Sequence, residues 1–154
     1  MIIHMKKDAV PHEVFQSFLL WMIAIGAGIF EMTVAVIDYI STHAGSEIGG
    51  ILIHVATRSM LFAALVYIMF RMLRGKNWAR IALALLLGGI GLLSLTIDPI
   101  QWLMSGNSLW EAFAHADNIS ILFASSRVLH IIAVISALVF MFKPAANRYF
   151  KAGL

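Results

Sequence analysis

The sequence predicts an all-α integral membrane protein in which four spanning helices pack as one bundle. Apolar residues make up 61% of the 154 residues and charged residues 12%, whereas ordinary globular chains hold about 45–50% and about 25%. The apolar residues form four long runs, and the basic residues lie between the runs. A soluble domain of this length could not cover so much apolar surface, so we expect a bilayer around it.

The four runs predict a single domain over 1–154 with helices at about 14–40, 48–73, 78–104 and 119–142. Each run exceeds the roughly 20 residues that a spanning helix needs. The first is too long for the apolar core of a signal peptide, so we interpret it as an uncleaved anchor. Gly75 is expected to end the second helix and Asn77 to cap the third.

The basic residues predict the orientation of the bundle. Nine of the eleven lysines and arginines fall on one side of a four-span arrangement: Lys6, Lys7, Arg71, Arg74, Lys76, Arg80, Lys143, Arg148 and Lys151. The two loops on the other side contain acids (Glu47, Glu111 and Asp117) but no lysine or arginine. The positive-inside rule therefore places both termini in the cytoplasm.

The second outer loop predicts a short helix of its own. Ser108 and Glu111 have the spacing of a capping box, and Leu109, Trp110 and Phe113 then fall close to one helix face. We expect this interfacial helix to lie on the outer membrane surface. A lid over the bundle mouth and a docking surface are equally compatible with it.

Seven ionisable residues interrupt the apolar runs: Glu31, Asp38, His54, Arg58, Asp98, Arg127 and His130. Those that share a helix are three, four or seven positions apart, so they share a helix face as well. A charged side chain inside a bilayer is costly unless it faces protein or water. We therefore expect these polar stripes to meet inside the bundle.

The helical rise sorts these residues by depth below the outer helix ends. A deep layer, at about 12–15 Å, contains Glu31, Arg58 and Arg127. A shallow layer, at about 4–9 Å, contains Asp38, His54 and Asp98, whereas His130 lies nearest the midplane. We expect Glu31 to pair with the two arginines beneath an outer ring of the shallow residues.

Two interpretations of this cluster remain open. Buried ion pairs can simply fix the register of neighbouring helices. Alternatively, the cluster lines a pocket open to the periplasm, since seven ionisable groups exceed what register requires. Three acids and two arginines leave an excess of one negative charge, which can be relieved by protonating an acid, by protonating His54, or by binding a cationic ligand from the periplasm. Such a ligand would contact Asp38, His54 or Asp98, with Arg58 deeper.

Several kinds of chemistry find little support in the residues. The chain has no cysteine, which excludes disulfides and Cys-ligated zinc or iron–sulfur clusters. His54 and His130 differ by about 9 Å in depth by the helical rise, which disfavours a haem held between them. We expect no catalytic residue, metal or cofactor, and no nucleic-acid partner, because the basic residues lie where topology needs them.

Two short segments carry a resemblance. The loop Gly75-Lys76-Asn77-Trp78-Ala79-Arg80 and the ending Pro144…Asn147-Arg148-Tyr149-Phe150 resemble small, uncharacterised four-helix proteins of the bacterial inner membrane. In those proteins a basic-Trp-Ala-Arg turn opens the third helix. The resemblance implies a bacterial inner-membrane location and no particular chemistry.

Three functions are therefore compatible with the sequence. The favoured one is a non-enzymatic binding protein, either an accessory subunit or of the bacteriocin-immunity type, which recognises another membrane-inserted protein within the lipid bilayer. The second is a transporter for ions, protons or small molecules that forms a homo-oligomer to complete its path. The third is a haem- or quinone-binding redox protein.

Overall fold

The computed structural model describes residues 10–42, 48–114 and 117–152, and no strand occurs in these ranges. The elements in chain order are α1 (His12–Thr42), α2 (Ile48–Leu73), α3 (Asn77–Leu83), a π-helical segment (Ala84–Gly91), α4 (Leu92–Met104), α5 (Leu109–Ala114), α6 (Asn118–Met141) and α7 (Pro144–Ala152). The prediction of an all-α fold is confirmed.

Four helices are long and apolar enough to cross a membrane. They are α1, α2, α6 and the third span Asn77–Met104, which joins α3, the π-helical segment and α4. The predicted boundaries agree with these helices to within a few residues. The sequence did not predict α7, which begins at Pro144, a residue whose fixed φ suits a first helical position.

The most extensive helix pair is α1 with α6, while α2 packs on α1 and α3. The buried core lies at one end of the bundle, where α1 begins, α2 ends and α7 docks. We call this the basic end, because Arg71, Arg74, Lys76, Arg80, Lys143, Arg148 and Lys151 surround it. Its fully buried side chains include Trp21, Met69, Met72, Leu83, Met141 and Phe150.

A tight turn joins α2 to α3 at the basic end. Gly75 adopts a φ of +77°, a left-handed conformation that glycine reaches at little cost, and its N–H donates to the carbonyl of Met72. The prediction that Gly75 ends α2 is confirmed. The prediction that Asn77 caps α3 is wrong, because the extended residue before the helix is Lys76 and Asn77 is already helical.

Two hydrogen bonds fasten the basic end further. The hydroxyl of Ser17 donates to the carbonyl of Ala137 at 2.9 Å, joining α1 to α6. The hydroxyl of Tyr149 on α7 donates to the carbonyl of Leu73 at 2.7 Å. Burial raises the pKa of Tyr149, so the phenol remains a donor at neutral pH. The amphipathic α7 therefore closes this end of the bundle.

The third span contains a wide turn that the sequence did not predict. At Gly88 the span approaches α6 so closely that a Cβ atom would lie 2.8 Å from Cδ1 of Leu138. The apolar run itself gives no local signal for a π-helical turn, since its residues suit an ordinary helix equally well. The π-helical turn lies where the third span contacts α6, and no feature of the local sequence accounts for it.

The opposite end of the bundle is much less packed, and we call it the open end. It comprises the last part of α1, the first parts of α2 and α6, and α4. Large apolar side chains there are widely exposed, as in Ile53 at 68% and Met104 at 82%. Such surfaces suit a bilayer or another membrane protein. The fold is therefore closed at one end and accessible at the other.

Candidate functional site

Glu31 is the buried acid just above the core. Its exposure is 7%, and its Oε1 accepts a hydrogen bond of 3.3 Å from the hydroxyl of Ser126 on α6. Nδ1 of His130 lies 3.9 Å from the same oxygen. Ser126 and His130 are four positions apart, so both lie on the face of α6 that packs on α1. Glu31 therefore links the two helices of the most extensive pair.

Polar atoms beside Glu31 lack partners within the described ranges. Nε of Arg127 and Nδ1 of His130 are both buried without a hydrogen bond. Buried polar groups in native proteins nearly always find a partner, whether protein or water. The interface of α1 and α6 therefore has spare hydrogen-bonding capacity around Glu31, which a water molecule or a small polar group could use.

The expected pairing of Glu31 with Arg58 and Arg127 is not what the described residues form. The ion-pair contact of Glu31 is with His130, whereas Arg58 lies exposed on α2. Arg127, which follows Ser126 directly, forms no ion pair with Glu31 within the described residues. Similar depth along the membrane normal did not make these three groups an ion-paired cluster.

A groove opens between α1 and α2 above the packed core. Nearer the core, α1 and α2 meet at Gly28, where a Cβ atom would lie only 3.3 Å from the ring of Phe62. Above this contact the same helix faces separate and enclose a volume of about 410 Å³. Tyr39 on α1 lines it together with His54 and Arg58 on α2. We call it the α1–α2 groove.

The α1–α2 groove carries basic groups without acidic ones. Arg58 is four positions from Phe62 and shares its face, so the arginine lies on the side of α2 that turns toward α1. His54 lies one turn nearer the open end. No Asp or Glu is among the described residues that line the groove, and Arg58 makes no ion pair within the described part of the chain.

A second groove, of about 420 Å³, lies between the end of α1 and the start of α6. Asp38 and Asp117 line this α1–α6 groove. Asp117 caps α6 by accepting a hydrogen bond from the backbone N–H of Ser120, and hydrogen bonds from Ser120 lower the pKa of Asp117. Asp38 and His54 line adjoining grooves that share Ala35 and Tyr39, and the two side chains form no ion pair within the described residues.

Asp98 lies away from both grooves. It is exposed on α4, as are Ser94 and Gln101, and it lines neither the α1–α2 nor the α1–α6 groove. The seven predicted residues thus divide into four places: the Glu31 contact with α6, the α1–α2 groove, the α1–α6 groove and the outer surface of α4. The structure brings only Glu31, Arg127 and His130 into one neighbourhood.

Sequence reasoning missed Ser126 and Tyr39. Ser126 had a usable signal, because it precedes His130 by one turn on the same face. Tyr39 had none, since an aromatic residue near a helix end is common at membrane interfaces. His54 and His130 lie in different places, and within the described ranges no three His, Asp or Glu side chains assemble as a metal site would require.

The short helix predicted between the third and fourth spans is present as α5. Its capping box forms as predicted, because the N–H of Ser108 donates to Glu111 and the N–H of Glu111 donates to the hydroxyl of Ser108. Trp110 is 80% exposed. The side chain of Phe113 lies outside the described part of the structure.

Comparisons with protein-family models, with curated proteins and with solved structures found nothing that matches this chain.

Proposed function

We propose that this chain is a non-enzymatic binding protein of the bacterial inner membrane, an accessory subunit or an immunity-type protein. Its α1–α2 groove would receive a membrane-inserted component. The observation that carries the proposal is Arg58, which faces this groove from a spanning helix and has no acidic neighbour in it. An arginine in hydrocarbon costs at least about 2.5 kcal/mol, so a bound partner that pairs with it is favoured.

The proposed ligand group is anionic rather than cationic. The sequence suggested a cationic ligand because Asp38 and Asp98 were expected to share one cluster with the arginines. The α1–α2 groove instead combines Arg58 with His54, and its described lining is free of acids. A carboxylate or phosphate would complement this guanidinium, and guanidinium groups bind both in a bidentate manner.

The closed basic end favours binding over transport through one chain. Apolar side chains fill it, among them Trp21, Met69 and Leu83. A conduction path needs polar or water-lined steps across the whole membrane. The α1–α2 and α1–α6 grooves lie in the open half of the bundle.

We further propose that the basic end faces the cytoplasm and the open end the periplasm, with both termini cytoplasmic. The concentration of lysine and arginine at one end supports this orientation through the positive-inside rule. The exposed Trp110 on α5 would then lie at the outer membrane interface, where tryptophan is enriched.

Reporter fusions test the orientation. Fusions after Lys76 and after Ala152 should be active as cytoplasmic reporters, and a fusion after Asn107 should be active as a periplasmic one, because Arg71, Arg74 and Lys76 resist translocation. A matched pair of phosphatase and fluorescent-protein fusions gives opposite signals at each site. A periplasmic C-terminus would overturn the orientation and the access route derived from it.

Photo-cross-linking tests whether the α1–α2 groove binds a partner. A photoreactive amino acid at Val55, inside the α1–α2 groove, should yield a discrete adduct in intact membranes. The same probe at Ile53, which is 68% exposed and does not line the groove, should yield only diffuse lipid products. Arg58→Gln should abolish the Val55 adduct, since it removes the charge that a buried partner needs.

Two results would contradict the α1–α2 groove as a binding site. Equal adducts from Val55 and Ile53, or a Val55 adduct unchanged by Arg58→Gln, would show that Arg58 recognises nothing there. Thermal unfolding of the variant in detergent serves as the folding control.

A further inference from the structure

The exposed surface of α4 carries the acidic group that the α1–α2 groove lacks. Ser94, Asp98 and Gln101 are all exposed. Their spacing of four and three positions puts them on one side of the helix. In a bilayer such a polar stripe is costly unless protein or water covers it. A protein neighbour would therefore stabilise the stripe on α4.

The described part of the bundle does not supply this neighbour. The main contacts of α4 with another helix are with α6, and its less exposed side chains include Leu92, Leu95 and Thr96. Two residues turn a helix by about 200°, so Asp98 lies roughly opposite Thr96. The carboxyl group faces outward from the bundle.

The depths of the two polar stripes match. His54 is six positions from the start of α2, and Asp98 is six positions from the end of α4, which places both at about 9 Å below the open end. Arg58 and Ser94 both lie at about 15 Å by the same rise. Because α2 starts and α4 ends at the open end, residues counted forward along α2 lie at the same depths as residues counted backward along α4. The long arginine side chain can extend toward the membrane surface and reach the level of Asp98.

We infer that the occupant of the α1–α2 groove is α4 of a second copy of this chain, with Asp98 of one copy paired to Arg58 of the other. The inference rests on the proposed function, because it names the partner of the same groove. Within the described residues, each copy carries an arginine and an aspartate without an ion-pair partner, about 6 Å apart in depth by the helical rise. Association neutralises both, and it places Ser94 and Gln101 against protein rather than lipid.

The absence of cysteine from the sequence permits a direct test with two differently tagged copies. One copy carries Ile51→Cys in the groove and the other carries Gln101→Cys on α4, each about 4.5 Å below the open end. Oxidation in membranes should give a disulfide-linked product that bears both tags. Ile53→Cys, on a different face of α2, should give little product with the same partner.

Charge reversal then tests the pair itself. Asp98→Arg alone and Arg58→Asp alone should each lower the yield of the doubly tagged product by about tenfold, equivalent to about 1.4 kcal/mol. Combining Arg58→Asp with Asp98→Arg in each copy should restore it. Asp98→Asn, which keeps the shape and removes the charge, provides a milder variant where reversal impairs folding.

The possible outcomes separate this inference from the proposed function. A product unaffected by Asp98→Asn and by charge reversal would overturn the ion pair. No doubly tagged product, together with a Val55 adduct to a different protein, would overturn the second copy and leave the groove as a binding site. No Val55 adduct and no doubly tagged product would overturn both.

Discussion

Replacing Trp21 with alanine should lower the free energy of unfolding by about 3–5 kcal/mol, the range for removing a large aromatic side chain from a packed core. Trp21 is fully buried on α1 at the basic end, where the core of the bundle is concentrated. Its removal leaves a cavity that the neighbouring helices can only partly fill. Denaturant unfolding in mixed micelles, followed by circular dichroism, measures the change.

Two matched variants make this expectation specific. Trp78→Ala removes the same side chain at the same end, but Trp78 is 49% exposed, so the loss should be much smaller. Trp21→Phe retains most of the buried ring and removes the Nε1 group, which has no hydrogen-bond partner among the described residues. It should cost less than alanine. Equal losses for Trp21→Ala and Trp78→Ala would contradict a core confined to the basic end.

Replacing Glu31 with leucine should cost about 1–3 kcal/mol, the usual penalty for leaving a buried hydrogen-bonding group without its partner. The change leaves Ser126 without its acceptor and His130 without its acidic neighbour. Unfolding in micelles measures the loss. Glu111→Gln serves as the control, because Glu111 is exposed and glutamine also completes a capping box.

A double-mutant cycle identifies the partner of Glu31. Residues in direct contact show coupling energies of about 0.5–3 kcal/mol, whereas distant residues are additive within about 0.5 kcal/mol. Glu31→Leu should therefore be coupled to His130→Leu and additive with Arg58→Met. The reverse result would restore the pairing with Arg58 that the sequence suggested, and it would place Arg58 inside the bundle.

The sequence by itself determined the features that depend on neighbouring residues along the chain. Four apolar runs of spanning length defined the four long helices, because a bilayer requires about 20 apolar residues in each. Gly75 predicted the end of α2, and the spacing of Ser108 and Glu111 predicted the capping box of α5. These signals act over one or two helical turns, so no knowledge of tertiary contacts was needed to find them.

The tertiary structure decided which polar groups meet. Depth along the membrane normal can be counted from the sequence, but the rotation of each helix and its distance from its neighbours cannot. Those quantities depend on packing, as where Gly28 admits the ring of Phe62. This packing turns Glu31 toward Ser126 and His130, leaves Arg58 in an open groove, and leaves Asp98 on the outside of α4. Glu31 and Arg58, which depth alone would have joined, are thus separated, and Asp98 is separated from its expected ring partners Asp38 and His54, because small apolar residues set the helix faces that touch.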